Sequence, residues 1–280
     1  MANSLKRACR VVGLAVLLAA PAARAEGPSS IERGYTLMYG LDFAAARQAF
    51  GAWRAEHPGD PLGPMSEAAS MLFEELDRSG LLQAQFFVDD ASLTTEKRST
   101  LPPGLRERFD ASLAEAETLA RSRLAVDPRD CDALFALATV YGLRADYAAI
   151  VEGRGMAALS YTRQATRLAR TLLDIAPDYA DAHLSTGVSE YIVGNLAAPL
   201  RWILRIGGYR GNKARGIEEL KVTAERGRLL GPFARILLGV AYLRERDTAR
   251  AREVLVGLDR EFPSNPLFAH ELRRIDGPTK

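Results

Sequence analysis

Residues 232–266, PFARILLGVAYLRERDTARAREVLVGLDREFPSNP, decide the fold of this chain. An apolar stripe at helical spacing is followed by a polar turn, a second apolar stripe and a proline stop. Leu238, Gly239 and Tyr242 mark the first stripe, and Ala251 begins the second. Small residues stand where two antiparallel helices must approach closely. The stretch therefore predicts a helix-turn-helix unit.

The same unit occurs at the other end of the chain. Ala46, Phe50 and Pro58 follow Gly34 by 12, 16 and 24 residues. Such agreement at four positions is not expected of unrelated helices, and it predicts a repeat protein. The matching residues of the C-terminal unit, at the same intervals, are Gly239, Ala251, Leu255 and Pro263.

Turn chemistry marks the boundaries of the units between these two. EHPGDP at 56–61, VDPRD at 126–130 and APDYAD at 176–181 each combine a helix-ending proline with an Asp that can cap the next helix. We therefore predict an all-α fold, an α-solenoid of about five helix pairs forming one domain over 26–280. The predicted units are 31–58, 61–128, 131–177, 180–229 and 232–263, with a capping helix at 266–275.

These patterns resemble the tetratricopeptide (TPR) family over nearly the whole chain. Two departures are Glu67, where that family usually has leucine, and the missing proline at the end of the fourth unit. Residues 194–243 also resemble a region of tetratricopeptide repeat protein 39 and the fungal inclusion-body clearance proteins. Both resemblances imply a helical repeat fold, and neither implies a reaction, a ligand or a catalytic residue.

The first 25 residues predict a secretory signal peptide. Basic residues including Lys6 and Arg10 precede the apolar run 11–20, and small residues at 23 and 25 suit cleavage after Ala25. The run is too short to span a bilayer, which takes about 20 apolar residues. We therefore expect an exported protein, located in a bacterial periplasm.

Removal of the signal changes the charge of the protein. The full chain has 37 Lys and Arg against 35 Asp and Glu, and cleavage removes four basic residues and no acid, so the net charge changes from +2 to −2. This balance does not indicate a nucleic-acid partner. Cys9 is lost with the signal, so Cys131 is the one thiol expected in the mature chain, as a small packing residue.

The three central units are longer than the outer two and therefore carry insertions between their helices. The insertions span about 78–104, 144–158 and 193–211. Insertions at the same point of stacked repeats emerge on the same edge of a solenoid, where binding residues are often placed. The edge residues that we expect to contact a partner are Phe86, Phe87, Arg201, Trp202 and Arg205.

No catalytic, metal or cofactor site is predicted. His57, His183 and His270 lie in different units, outside any HExxH or Cys/His pattern. GRGMAA at 153–158 matches a loose dinucleotide-binding pattern, but no alternation of strands and helices surrounds it. We interpret that segment as a flexible turn and expect no metal, no cofactor and no enzymatic activity.

The inner, concave face of the predicted solenoid is apolar and aromatic, which suits a hydrophobic peptide, a helix or a lipid-like ligand. In the alternative, the insertions fold into this groove and fill it. The predicted groove residues are Tyr35, Met38, Phe135, Thr139, Leu184, Val188, Tyr191, Ile236 and Val240.

Two functional hypotheses follow. The first is a non-enzymatic TPR-type scaffold that binds an envelope protein or peptide. The alternative is a carrier of a lipid or other apolar molecule, or a peripheral membrane protein, that uses 196–206 as a lid or membrane contact.

Overall fold

The computed structural model describes residues 28–80, 82, 104–195 and 211–277. The expected signal peptide and most of the first and third insertions lie outside this part of the chain. Within it we number eleven α-helices and find no strand. Their bounds are α1 Ser30–Tyr39, α2 Phe43–Glu56, α3 Leu62–Arg78, α4 Leu105–Val126, α5 Cys131–Asp146, α6 Gly155–Ile175, α7 His183–Asn195, α8 Lys213–Arg226, α9 Gly231–Arg244, α10 Thr248–Glu261 and α11 Pro266–Asp276.

The helices pack in chain order, each against the next. α1 pairs with α2, α3 with α4, α5 with α6, α7 with α8 and α9 with α10, and α11 covers the last pair. This is an all-α solenoid of TPR-like helix pairs, so the fold class expected from the sequence is confirmed. The five pairs span residues 30–56, 62–126, 131–175, 183–226 and 231–261, and α11 follows at Pro266–Asp276.

Four of the five pairs end in one type of turn. The helix stops at a residue with a non-helical backbone, with φ between −122° and −133°, and a proline follows. The N–H three residues after the stop donates back to the carbonyl of the stop residue. Proline is compatible with this turn because it has no N–H to lose. The N–H to carbonyl distances are 3.0 Å for Asp60 and His57, 3.1 Å for Asp130 and Asp127, 3.0 Å for Tyr179 and Ala176, and 2.9 Å for Asn265 and Phe262.

The turns inside the first and last pairs are also alike. Leu41 and Arg246 each adopt a left-handed conformation, with φ of 65° and 61°. In both turns the next residue, Asp42 or Asp247, accepts a hydrogen bond of 3.1 Å from the N–H three residues further on. The same backbone geometry therefore recurs 205 residues apart, as the sequence intervals predicted.

The fourth pair lacks the proline turn, and a buried carboxylate takes its place. Asp181 lies in a short 3₁₀ turn before α7, and its carboxylate accepts the N–H groups of Arg228, Leu229 and Leu230 at 3.0, 3.2 and 2.9 Å. Burial raises the pKa of Asp181, although the three donors oppose the shift. A bond between distant residues thus fixes the chain that leads from α8 into α9.

The central helix of the stack is unusually apolar. α5 continues through a π-helical turn, Tyr147–Val151, and Cys131–Val151 is long and apolar enough by length and composition to cross a membrane. Yet 67% of its most apolar window is buried in the protein, against α3, α4, α6 and α7. In the described part of the chain, α5 is therefore a core helix.

The first pair meets the last pair, so the stack closes on itself. The Tyr39 hydroxyl donates to the Leu229 carbonyl at 3.1 Å, and the Asn265 amide donates to the Tyr39 carbonyl at 2.9 Å. The Tyr39 ring lies 5.9 Å from the ring of Phe262 in an edge-on arrangement. Ser264 adds a bond of 3.0 Å to the carbonyl of residue 40. This closure determines how much of the inner face is exposed.

Candidate binding surface

The predicted groove residues divide into two groups. Four are buried in the core, and these are Tyr35 at 3%, Met38 at 1%, Phe135 at 2% and Tyr191 at 8% exposure. They present almost no surface to a partner in this conformation. The other five are half-buried, namely Thr139, Leu184, Val188, Ile236 and Val240.

The first pair is buried because its inner face is covered. The Tyr35 ring packs edge-on against Phe50 at 5.4 Å, and its hydroxyl accepts a hydrogen bond of 3.3 Å from Ser66 Oγ on α3. Burial raises the pKa of Tyr35 well above its ordinary value. Tyr35 and Met38 are thus core residues, and the prediction that they line an exposed groove is corrected by their burial.

Phe135 and Tyr191 are buried by neighbours that the repeat pattern does not specify. Phe135 lies 5.4 Å from the ring of Tyr179, whose hydroxyl donates to Asp132 at 3.1 Å. Tyr191 is held where α7 crosses α8 closely, because a Cβ added at Gly216 would lie 2.6 Å from the Tyr191 nitrogen. The prediction of an exposed position is therefore corrected for these two residues as well.

The half-buried apolar residues form what we call the inner strip. Leu184 and Val188 come from α7, and Ile236 and Val240 come from α9. Leu184, Ile236 and Val240 pack at the margin of the main core, and Val188 packs against a second cluster. The inner strip is the part of the predicted groove that retains exposed apolar surface for a partner.

The insertion edge is described only in part. Phe86, Phe87, Arg201, Trp202 and Arg205 lie outside the described residues, so their predicted role in binding stays a prediction.

The ends of the third insertion lie side by side. A Cβ added at Gly211 would lie 2.3 Å from the nitrogen of Gly194, so the two backbones touch. The Asn212 N–H donates to Glu190 Oε2 on α7 at 2.9 Å, and the Asn212 side chain caps α8. The chain before residue 196 and the chain after residue 210 therefore meet at one point of the stack.

The second insertion proves to be largely helical rather than a loop. It extends α5 through the π-helical turn and then begins α6, with Gly153 at a φ of 66° between them. Arg106, at the start of α4, forms an ion pair of 2.7 Å with Glu152 and lies 5.3 Å over the Tyr147 ring. The end of the first insertion and the second insertion therefore share one edge.

Two polar features were not anticipated from the sequence. His183 Nδ1 and Thr186 Oγ1 both hydrogen-bond Glu219 Oε2 and so join α7 to α8. Burial alone would raise the pKa of Glu219, but these bonds outweigh burial and lower it. The partners are 36 residues apart, so no local motif could reveal the pair.

The second feature is Asp146, at the end of α5. Burial raises the pKa of this carboxyl to about 7, and no ion pair to it occurs in the described residues. It lies on the same helical face as Thr139 and Gly142, next to the second insertion. No local pattern distinguishes this Asp from the many exposed ones.

Metal and thiol chemistry receive no support from this geometry. Within residues 28–80, 82, 104–195 and 211–277, no group of three His, Cys, Asp or Glu side chains could hold a metal ion. Burial raises the pKa of the Cys131 thiol, with nearby carboxylates acting in the same direction. The thiol is thus protonated at neutral pH, which makes it a weak nucleophile.

Comparisons with known proteins add little to this description. No protein-family model and no curated protein matches the chain. Among solved structures, the chain is similar to the crystal structure of a thermophilic TPR protein from Thermus thermophilus. The identity is 17%, the match covers 88% of this chain and 96% of that one, and the TM-score is 0.44. The fold assignment rests on the helix pairs themselves.

Proposed function

We propose that this chain is an exported, non-enzymatic scaffold of the TPR type that binds a protein or peptide of the cell envelope. The observation that carries the proposal is the inner strip, in which four apolar side chains of α7 and α9 stay half-buried rather than fully buried. An apolar peptide or amphipathic helix is the ligand that such a surface suits. The location in the cell envelope is inferred from the expected signal peptide.

The dimensions of the protein favour this function over a lipid carrier. An apolar cavity lies between α1, α3, α9 and α11, but its water-accessible volume is about 30 Å³. That volume holds one or two water molecules. An acyl chain would need a much larger space, so a lipid held in this cavity would require the four helices around it to move apart.

The binding proposal can be tested with thiol-directed photo-crosslinking. Val188→Cys places a reactive group in the inner strip, and Val126→Cys places one on an 88% exposed position of α4. Both variants carry Cys131→Ser so that each has one reactive thiol in the mature chain. We expect Val188→Cys to crosslink a discrete envelope protein that Val126→Cys does not. Identical crosslinking patterns from the two sites would contradict the proposal.

Export is tested separately, on the chain expressed in a Gram-negative host. The expected result is a periplasmic protein whose N-terminal residue is Glu26, as shown by intact mass and N-terminal sequencing. An uncleaved chain that remains in the cytoplasm would overturn the export part of the proposal and leave the binding part to its own test.

A further inference from the structure

The contact that closes the stack differs in kind from the contacts along it. Neighbouring helices pack lengthwise from α1 to α11. The first and last pairs instead meet through residues 39–41 on one side and residues 229–230 and 262–265 on the other. We call this contact the closing seam. It depends on turn residues and single side chains rather than on an extended helix–helix interface.

The polar part of the seam is small. Three hydrogen bonds cross it, donated by the Tyr39 hydroxyl, the Asn265 amide and the Ser264 hydroxyl, and a backbone carbonyl accepts each of them. An intramolecular hydrogen bond contributes about 1 kcal/mol net. Ser264 is exposed, so water competes for its bond. The ion pair between Arg228 and Glu32 is 3.8 Å long and half-exposed, and such pairs contribute little.

The apolar part of the seam is incompletely packed. The cavity of about 30 Å³ lies directly beneath it. Side chains around a void lose dispersion contacts on one side, so burial there stabilises less than in a filled core. The cavity wall includes residues from both sides of the seam, namely Met38, Tyr39 and Leu41 from one side and Phe233, Ile236 and Phe268 from the other.

The seam covers the inner face of α1. Met38 lines the cavity beneath the seam together with Ile236 of the inner strip, so its burial depends on the contact between the first and last pairs. Separation of the two pairs would also part the rings of Phe73 on α3 and Phe233 on α9, which lie 5.3 Å apart, but each helix pair would keep its neighbours along the stack. It would also join the apolar residues of α1, including Met38, to the inner strip as one continuous apolar surface.

We propose that the closing seam is a gate, which opens without unfolding the helix pairs and controls access to the inner face. The most weakly held contact of a protein is the one that opens below the free energy of global unfolding. The consequence for partner binding rests on the proposed scaffold function, whereas opening of the gate does not.

An engineered disulfide across the seam, which we call the lock, would hold the gate closed. A Cβ added at Gly40 would lie 2.9 Å from Ser264 Oγ. This matches the spacing of about 3 Å between a Cβ and the far sulfur in a disulfide. Residue 40 has a φ of −78°, which any residue adopts, so Gly40→Cys with Ser264→Cys should oxidise without backbone strain.

The reporter is a buried thiol beneath the seam. Met38→Cys, in a Cys131→Ser background, is treated with a thiol reagent under native conditions and compared with Leu172→Cys, a fully buried position on α6 away from the seam. We expect Met38→Cys to react at least about tenfold faster than Leu172→Cys because local opening precedes global unfolding. The oxidised lock should slow the Met38→Cys reaction by a factor at least about tenfold larger than that of Leu172→Cys, which the cross-link slows only by stabilising the fold against global unfolding.

Equal rates at the two positions, or a Met38→Cys rate that the lock does not change, would overturn the gate. Should Met38→Cys fail to fold, hydrogen exchange of the unsubstituted chain gives the same test. Amides of residues 37–42 should then exchange before those of α5, and the lock should protect them selectively. None of these measurements needs a partner, so failure of the gate and failure of the scaffold function remain distinguishable.

Discussion

The first and fifth helix pairs share a backbone plan and differ in how tightly they are packed. The turn of each pair contains one residue in left-handed conformation, followed by an Asp that caps the next helix. The close approach of the two helices, however, is filled by Phe50 in the first pair and by Leu255 in the fifth. The repeat pattern thus fixes the path of the chain, while the individual side chains fix how much change each position tolerates. Comparing matched positions of the two pairs therefore shows which effects come from the shared backbone and which come from the individual side chains.

The largest difference is expected between two Asp residues that bind backbone N–H groups. Asp181→Ala leaves three N–H groups without their acceptor, two of them on the buried residues Leu229 and Leu230. We expect a loss of about 3 kcal/mol in the free energy of unfolding. Asp247→Ala removes one exposed cap and should cost about 1 kcal/mol. Urea denaturation of both variants measures the difference, and equal losses would show that the fourth pair does not depend on Asp181.

A second pair of variants tests the glycine at the close approach. In Gly34→Ala the new Cβ would lie 2.3 Å from the Phe50 ring, and we expect overpacking to cost about 2 kcal/mol. In Gly239→Ala the nearest atom lies 3.9 Å away, so higher helix propensity should give a gain of up to about 1 kcal/mol. Thermal denaturation of the two variants checks the signs. Higher stability in both variants would mean that the first pair is not packed as described.

The two ends of α5 should respond to pH in opposite directions. Burial raises the folded-state pKa of Asp146 to about 7, above an unfolded value near 4. The folded chain therefore binds the extra proton, and stability falls as the pH rises from about 4 to about 7. Because the side chain is half-buried and water still reaches it, we expect an effect of about 1 to 2 kcal/mol, which Asp146→Asn should remove.

Asp130, at the other end of α5, is the matched control. Burial opposes the shift, but bonds from Arg123 and from the Ala133 N–H lower its pKa. Its contribution is present above the unfolded pKa and is lost as the pH falls through the folded one. Urea denaturation of Asp130→Asn and Asp146→Asn across pH 3 to 8 should give slopes of opposite sign relative to the parent chain. Slopes of the same sign for both variants would contradict the directions assigned to the two pKa shifts.

The smallest effect is expected at the left-handed turn residues. Arg246 is exposed, and Arg246→Gly should relieve backbone strain and raise stability by about 0.5 kcal/mol. Leu41 packs against the core, so Leu41→Gly loses apolar burial as well and should be destabilising by about 1 kcal/mol. Opposite shifts in the thermal midpoint would support the comparison, and a loss in both would indicate that Arg246 makes a contact of its own.

The sequence predicted the features that depend on neighbours along the chain. The helix stripes, the proline turns and the Asp caps arise from short-range chemistry, so the all-α class and the helix pairs were accessible from residue spacing. Gly187 lies at the close crossing of α7 and α8, where an added Cβ would meet the Gly216 carbonyl at 3.1 Å.

Features that join distant parts of the chain were not accessible. The bond between Tyr39 and Leu229 links residues 190 positions apart, and the one between Thr223 and Ala180 spans 43. No spacing rule connects such residues, because the superhelical path of the stack sets their distance. For that reason the sequence placed Tyr35 and Met38 in an open groove, whereas both are buried in the core.

The most direct test of this account is an NMR measurement of ring-to-ring contacts in the chain with selectively labelled Tyr and Phe. Closure predicts cross-peaks between Tyr39 and Phe262, whose ring centroids are 5.9 Å apart, alongside the contact of Phe109 with Tyr147 at 5.1 Å as an internal reference. Presence of the reference cross-peak without any cross-peak between Tyr39 and Phe262 would show an open stack and contradict the closing seam.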